Sequence, residues 1–136
     1  MNIDTEKPEN SGRSAKEAPR TVCAFLGLGL IGGSIAKAMR KQLKESWYLM
    51  AWNPHEDKVQ AAIADGVIDE ALRGPTDERL KDADLIFLCA PVERNRETLR
   101  VLGPLLKETA TVTDIGSVKT DIHETAIALG IEDRFV

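Results

Sequence analysis

No apolar run in this chain approaches the roughly 20 residues that a membrane-spanning helix requires, which excludes a transmembrane span. No charge of one sign dominates either. The 18 Lys and Arg and 22 Asp and Glu, a formal net charge of −4, are interspersed, without the basic patch of a nucleic-acid-binding domain. Cysteine and histidine are scarce, with two of each. Cys23, Cys89, His55 and His123 show no metal-ligand spacing, so no metal site is expected. Both cysteines fall in apolar, strand-like segments and read as small buried core residues of a reducing compartment. These absences point to a cytoplasmic protein with neither a membrane nor a nucleic acid as partner. What is present, 136 residues of which 43% are hydrophobic, suffices for one domain with its own core.

The first twenty residues stand apart. Residues 1–20 are rich in Glu, Lys, Asn, Ser and Pro and bury almost nothing, so they cannot offset their ordering entropy and are expected to form a disordered tail. They contain no apolar stretch of the signal-peptide kind, and their four acidic residues argue against a transit peptide.

From Thr21 to Val136 strand and helix patterns alternate. Val22–Leu26 reads as a strand, and Ile31, Ile35, Ala38, Met39 and Leu43 recur at helical spacing as one inward face. Trp47–Trp52 is a second strand closed by the Asn53-Pro54 turn, and Glu56–Ala64 a short helix stopped by Gly66. A very short strand is expected around Ala71–Leu72. Asp84–Cys89 is continuously apolar after its first residue, the mark of a parallel strand covered on both faces. A helix from Val92 to about Leu106 must kink or lose its last turn at Gly103-Pro104. Thr111–Ile115 is a strand, Val118–Leu129 a helix ended by Gly130, and Arg134-Phe135-Val136 the opening of one more strand. This order predicts an α/β fold: a doubly wound parallel sheet, Rossmann-like, over residues 21–136.

The most informative run is Val22–Ser34, in which Gly27, Gly29 and Gly32 have G-x-G-x-x-G spacing between a strand and a helix. In a dinucleotide site the first glycine makes the tight turn, the second lets the backbone approach the pyrophosphate, and the third allows helix–strand packing. The helix start then aims its N–H groups and positive dipole end at the phosphates. Gly27, Leu28, Gly29, Leu30, Ile31 and Gly32 are therefore candidate cofactor-binding residues, joined by Asn53, Cys89, Ala90 and Pro91 at the ends of neighbouring strands. The competing role for the motif is a structural glycine turn.

Four segments resemble the prephenate/arogenate dehydrogenases of tyrosine biosynthesis: Gly27–Ala36, Asp65-Gly-Val-Ile-Asp69, Leu88-Cys-Ala-Pro91-Val, and Thr113-Asp-Ile-Gly-Ser-Val-Lys119. The Gly32-Gly33-Ser34 ending and the Asp-Ile-Gly-Ser-Val-Lys block carry the resemblance furthest. It covers Val22–Val136, the nucleotide-binding half of such an enzyme. It implies oxidative decarboxylation of prephenate to 4-hydroxyphenylpyruvate, or of arogenate to tyrosine. Hydride leaves the ring carbinol carbon for the nicotinamide while a base takes the hydroxyl proton.

By the same resemblance Ser117 is the one catalytic and nicotinamide-side residue present, its hydroxyl lying between cofactor and substrate oxygen. A turn serine capping the next helix is its other role. The family's principal histidine, in a Gly-Gly-His-Pro segment beyond the last strand, and its substrate-binding arginine have no counterpart up to Val136. The chain is thus expected to bind cofactor without turning substrate over, and to form a homodimer only together with the family's helical second domain. A stand-alone NAD(H)-binding or sensing module is the alternative from another functional class.

NAD is the expected cofactor on family frequency, with NADP open. NAD sites end the second strand with an acid, and family members of that kind carry Asp about where Ala51 stands. Asn53 with Lys58 is compatible with a 2′-phosphate, yet no arginine follows Asn53. Arg96 and Arg100 share a helix face that reads as solvated beside Glu93 and Glu97, or as an anion site. Lys119 and Asp114 read as structural, and His55 and His123 as solvent-facing.

Overall fold

The computed structural model describes residues 20–90, 92–115, 120–131, 133 and 135. The tail expected over 1–20 lies, Arg20 apart, outside the described residues. Five strands form one parallel sheet: β1 (Thr21–Leu26), β2 (Trp47–Trp52), β3 (Glu70–Ala71), β4 (Leu85–Leu88) and β5 (Thr111–Asp114), in the order β3-β2-β1-β4-β5. Between them run α1 (Leu30–Leu43), α2 (Glu56–Ala64) and α3 (Val92–Leu102), and α4 (Thr120–Ala128) follows β5. Phe135 bridges to Val112 in parallel sense, where a further strand was expected to open.

The period-two alternation of β1 divides its side chains between two cores. Cys23 and Phe25 pack with Ala36, Leu49, Ala51, Val59 and Ile68 on the α1/α2 face. Ala24 and Leu26 pack with Met50, Ile86, Leu88, Leu99 and Val112 on the other. A sheet covered on both faces is what near-continuous apolar strands require. Each fully buried Phe or Leu contributes roughly 1.5–3 kcal/mol. Phe25 and Phe87 also stack across β1 and β4, with ring centroids 5.1 Å apart.

Two carboxylates tie the sheet together near its amino edge. Asp84 accepts from the Val22 N–H at 2.8 Å and pairs with Lys107 at 2.5 Å. Asp69 accepts from the Leu49 N–H at 2.8 Å and from Arg40 at 2.5 Å. Burial works against the charge on Asp84, but Lys107 and the Val22 N–H outweigh it and hold the carboxyl below its ordinary range.

Most elements fall where the patterns put them, and the differences have local causes. Leu102 ends α3, and Gly103–Leu105 continues as a separate 3-10 turn because Pro104 cannot extend the α-helical ladder. The inward face expected for α1 is corrected: Ile31 is 57% exposed and Ala38 faces solvent, while Gly32 and Ala36 are buried. The close approach of Gly32 to the sheet sets the rotation of the helix, so Ala36 joins the expected Ile35 and Met39 on the inward face. Cys89 lies one residue past β4 and is only half-buried, whereas Cys23 is fully enclosed; both are free thiols. The helix expected from Val118 begins at Thr120 among the described residues.

Candidate functional site

The carboxyl end of the sheet is organised around Gly27. Its N–H donates to the Trp52 carbonyl at 2.7 Å, and the Cys89 N–H donates to the Leu26 carbonyl at 3.0 Å, so the ends of β2, β1 and β4 lie side by side. β1 connects to β2 through α1 on one face, while β4 connects to β5 through α3 on the other. The crevice outside a parallel sheet opens at such a change of direction, and ligands of open α/β sheets bind there.

The three motif glycines differ in what surrounds them. Gly27 has φ +108°, and a Cβ there would also meet the Cys89 carbonyl carbon at 3.1 Å. A Cβ on Gly32 would sit 2.8 Å from the Gly27 oxygen and 3.1 Å from Cys89 Sγ, so only glycine lets α1 settle onto the turn. Gly29 is the opposite case, with nothing within 4 Å of the added atom. Its open face leaves the backbone approachable from outside.

The start of α1 suits an anion. Gly29 is the N-cap without a side-chain cap, and the first turn holds no acidic residue. The leading N–H groups of a helix have no intrahelical acceptor, and its dipole is positive there. Leu30, 89% exposed, and Ile31 flank this opening without closing it. A backbone that can be approached at Gly29, beside uncapped N–H groups, fits a pyrophosphate.

Buried amides hold the loops around this opening. Asn53, at the end of β2, accepts from the Leu28 N–H at 2.8 Å and donates to the His55 carbonyl at 3.2 Å, clamping the glycine turn to the second strand. Asn95 of α3 plays the corresponding part on the other side. Its amide donates to Asp114 Oδ1 at 2.6 Å and to the carbonyls of Ala90 and Leu88 at 2.8 and 3.3 Å, and it accepts from the Ala90 N–H at 3.2 Å. Asn95 and Asp114 are each 1% exposed. Asn95 thus joins the end of β4 to the end of β5. An Asn on a charged helix gives no periodic signal in the sequence; its closeness to Ala90-Pro91 is the one clue to this role. The Cys89 thiol is pushed up to about 12 by burial and then by the charge of Asp114, which leaves it a packing group.

Gly27, Leu28, Gly29, Leu30, Ile31, Gly32, Asn53, Cys89 and Ala90 are therefore brought together, while Pro91, Ser117 and Lys119 lie outside the described residues. Lys58 lines a groove of about 420 Å³ between α1 and α2, with Gly29, Ser34, Lys37 and Asp65. It does not line the cavity beside Asn53. That cavity, about 340 Å³, is bounded by Trp52, Pro54, Glu56 and Arg73. Arg96 and Arg100 do share a face, opposite Glu124 and Thr125, on the α3/α4 flank. His55 is exposed, and His123 belongs to α4. Among the described residues no group of His, Cys, Asp and Glu is placed to hold a metal ion, and no helix is long and apolar enough to cross a membrane.

The sequence pattern of the family described as "Prephenate dehydrogenase, nucleotide-binding domain" matches residues 35–136. A prephenate dehydrogenase of Lactococcus lactis subsp. cremoris is 32% identical, over 82% of this chain and 31% of its own length. A cyclohexadienyl dehydrogenase of Zymomonas mobilis is 30% identical, over 75% of this chain and 34% of its own length. The crystal structure of Synechocystis arogenate dehydrogenase superposes with a TM-score of 0.70 at 37% identity, covering 80% of this chain and 37% of that one. That of Aquifex aeolicus prephenate dehydrogenase, in complex with hydroxyphenyl propionate and NAD+, gives a TM-score of 0.74 at 28% identity, covering 86% and 40%. The chain thus spans about a third of the length of its curated relatives. It belongs to the prephenate dehydrogenase family and matches that family's nucleotide-binding domain.

Proposed function

We propose that this chain holds NAD+ for a dehydrogenase acting on prephenate or arogenate. The observation that carries the reading is the Gly29 opening at the head of α1, set at the carboxyl end of the sheet between β1 and β4. The Leu30 and Ile31 N–H groups and the helix dipole take the pyrophosphate. Asn53 keeps Leu28 and the turn in place on the β2 side, and Asn95 ties the end of β4 to the end of β5. When bound, NAD+ supplies the hydride acceptor for the oxidative decarboxylation.

Ser117, which follows β5 in the sequence, is the catalytic hydroxyl in this reading. It donates a hydrogen bond to the substrate oxygen and helps hold the carbinol carbon against the nicotinamide ring. The groups around the opening bind and position. Among the described residues the exposed His55 sits beyond β2, on the adenosine side, away from where a general base would act. The chain itself is therefore a binding portion, and turnover and dimerisation belong to it in combination with the helical remainder of a family enzyme.

Calorimetric titration of the purified chain with NAD+, followed by an absorbance assay for NADH with prephenate and with arogenate, tests this. Saturable one-to-one binding without substrate-dependent NADH is expected. Failure of NAD+ to bind overturns the proposal, and NADH formation by the chain alone overturns its division of labour.

A further inference from the structure

We propose that Arg73 is a 2′-phosphate-recognising residue, which gives this domain substantial affinity for NADP+ as well as NAD+. The inference rests on the nucleotide-binding reading above. The second strand carries no acid at its end: Ala51 is fully buried in the α1/α2 core, and Asn53 spends its amide on Leu28 and His55. Nothing at the tip of β2 is left to accept from a ribose 2′-hydroxyl in the manner of NAD-selective sites.

The arginine absent just after Asn53 is supplied by the segment that follows the neighbouring strand. β3 runs parallel to β2 with Met50 opposite Glu70 and Ala51 opposite Ala71, and the Leu72 N–H donates to the Ala51 carbonyl at 2.7 Å. β3 ends at Ala71, and Leu72 and Arg73 leave it beside the end of β2. Arg73 and Asn53 accordingly bound the same cavity of about 340 Å³. Adenosine of a bound dinucleotide lies on this side of the glycine turn, over the end of the second strand.

The Arg73 guanidinium is available. The side chain is exposed and makes no ion pair or hydrogen bond among the described residues; its backbone N–H alone donates to Asp77. Asp77 is itself paired with Arg79, which also pairs with Glu70. Glu56 is the carboxylate on the cavity wall, and it opposes a phosphate there, so the site admits both dinucleotides rather than selecting NADP+ alone.

The test is calorimetry of the purified chain with NAD+ and with NADP+, for the wild type, Arg73→Ala, Arg73→Lys and Arg73→Glu, with thermal melts to show that each variant folds. The wild type is expected to bind the two within about tenfold of each other. Arg73→Ala should lower the NADP+ to NAD+ affinity ratio by about tenfold or more, the scale of one charge-assisted phosphate contact. Arg73→Lys should recover part of that loss and Arg73→Glu deepen it. Equal weakening of both nucleotides in Arg73→Ala, or a wild type that binds NAD+ and not NADP+, overturns the assignment. Binding of neither overturns the nucleotide site and this inference with it.

Discussion

Substituting the glycines of the turn one at a time by alanine should separate folding from binding. At Gly32 the new methyl group would meet the Gly27 carbonyl oxygen at 2.8 Å and Cys89 Sγ at 3.1 Å. The first contact is backbone and the second a thiol held between strand and helix, so neither yields by a rotamer change. Overpacking of this kind costs about 3 kcal/mol, the upper part of its usual range. The higher helix propensity of alanine returns about 1 kcal/mol. The net loss is about 2 kcal/mol, a fall in Tm of about 8 °C for a domain of this size.

Gly33 is the internal reference. It lies in the same helix with nothing within 4 Å of the added atom, so only the propensity gain acts and stability should rise by about 1 kcal/mol. Gly29→Ala should stay within about 0.5 kcal/mol of the wild type, since its φ of −83° is ordinary and its Cβ meets no protein atom. That methyl group would instead occupy the approach to the phosphates, so nucleotide affinity should drop about tenfold or more. Urea unfolding and NAD+ calorimetry on the three variants read both quantities. A Gly32→Ala protein as stable as Gly33→Ala would refute the packing argument. A Gly29→Ala protein that binds NAD+ like the wild type would refute the placement of the pyrophosphate.

Two further outcomes follow from the polar ties. Asp84 has its carboxyl lowered by Lys107 and the Val22 N–H, so its contribution is complete above the unfolded carboxylate value of about 3.9 and is lost as pH falls through the lower folded value. The stability advantage of the wild type over Asp84→Asn in urea should therefore be full near about pH 7 and shrink below about pH 4, and a difference independent of pH would remove the charge from the explanation. Asn95→Ala takes partners from Asp114 Oδ1 and from the Ala90 N–H in a buried site, at about 2–4 kcal/mol in urea unfolding; a loss under about 1 kcal/mol would mean the clasp carries little.

Local signals were enough for most of the fold. The apolar run closed by Asn53-Pro54 located β2, and helical spacing stopped by Gly66 located α2, both to the residue; Gly103-Pro104 marked the end of α3, because backbone restrictions act where they are written. Helix rotation was less legible. Periodicity placed Ile31 and Ala38 inward, but the face of α1 is set by how closely Gly32 approaches a turn made by other strands.

The glycine loop, too, could be read from the sequence, since strand, G-x-G-x-x-G and helix are contiguous. By itself the sequence determined a doubly wound nucleotide fold and the loop at its centre. Only the tertiary structure decided what surrounds that loop. Asn95 reaches Asp114 across 19 residues of chain, and the segment after β3 brings Arg73 to the same cavity as Asn53, 20 positions before it. Neither pairing leaves a trace along the chain, because strands set side by side bring together residues whose distance in sequence depends on the crossover between them.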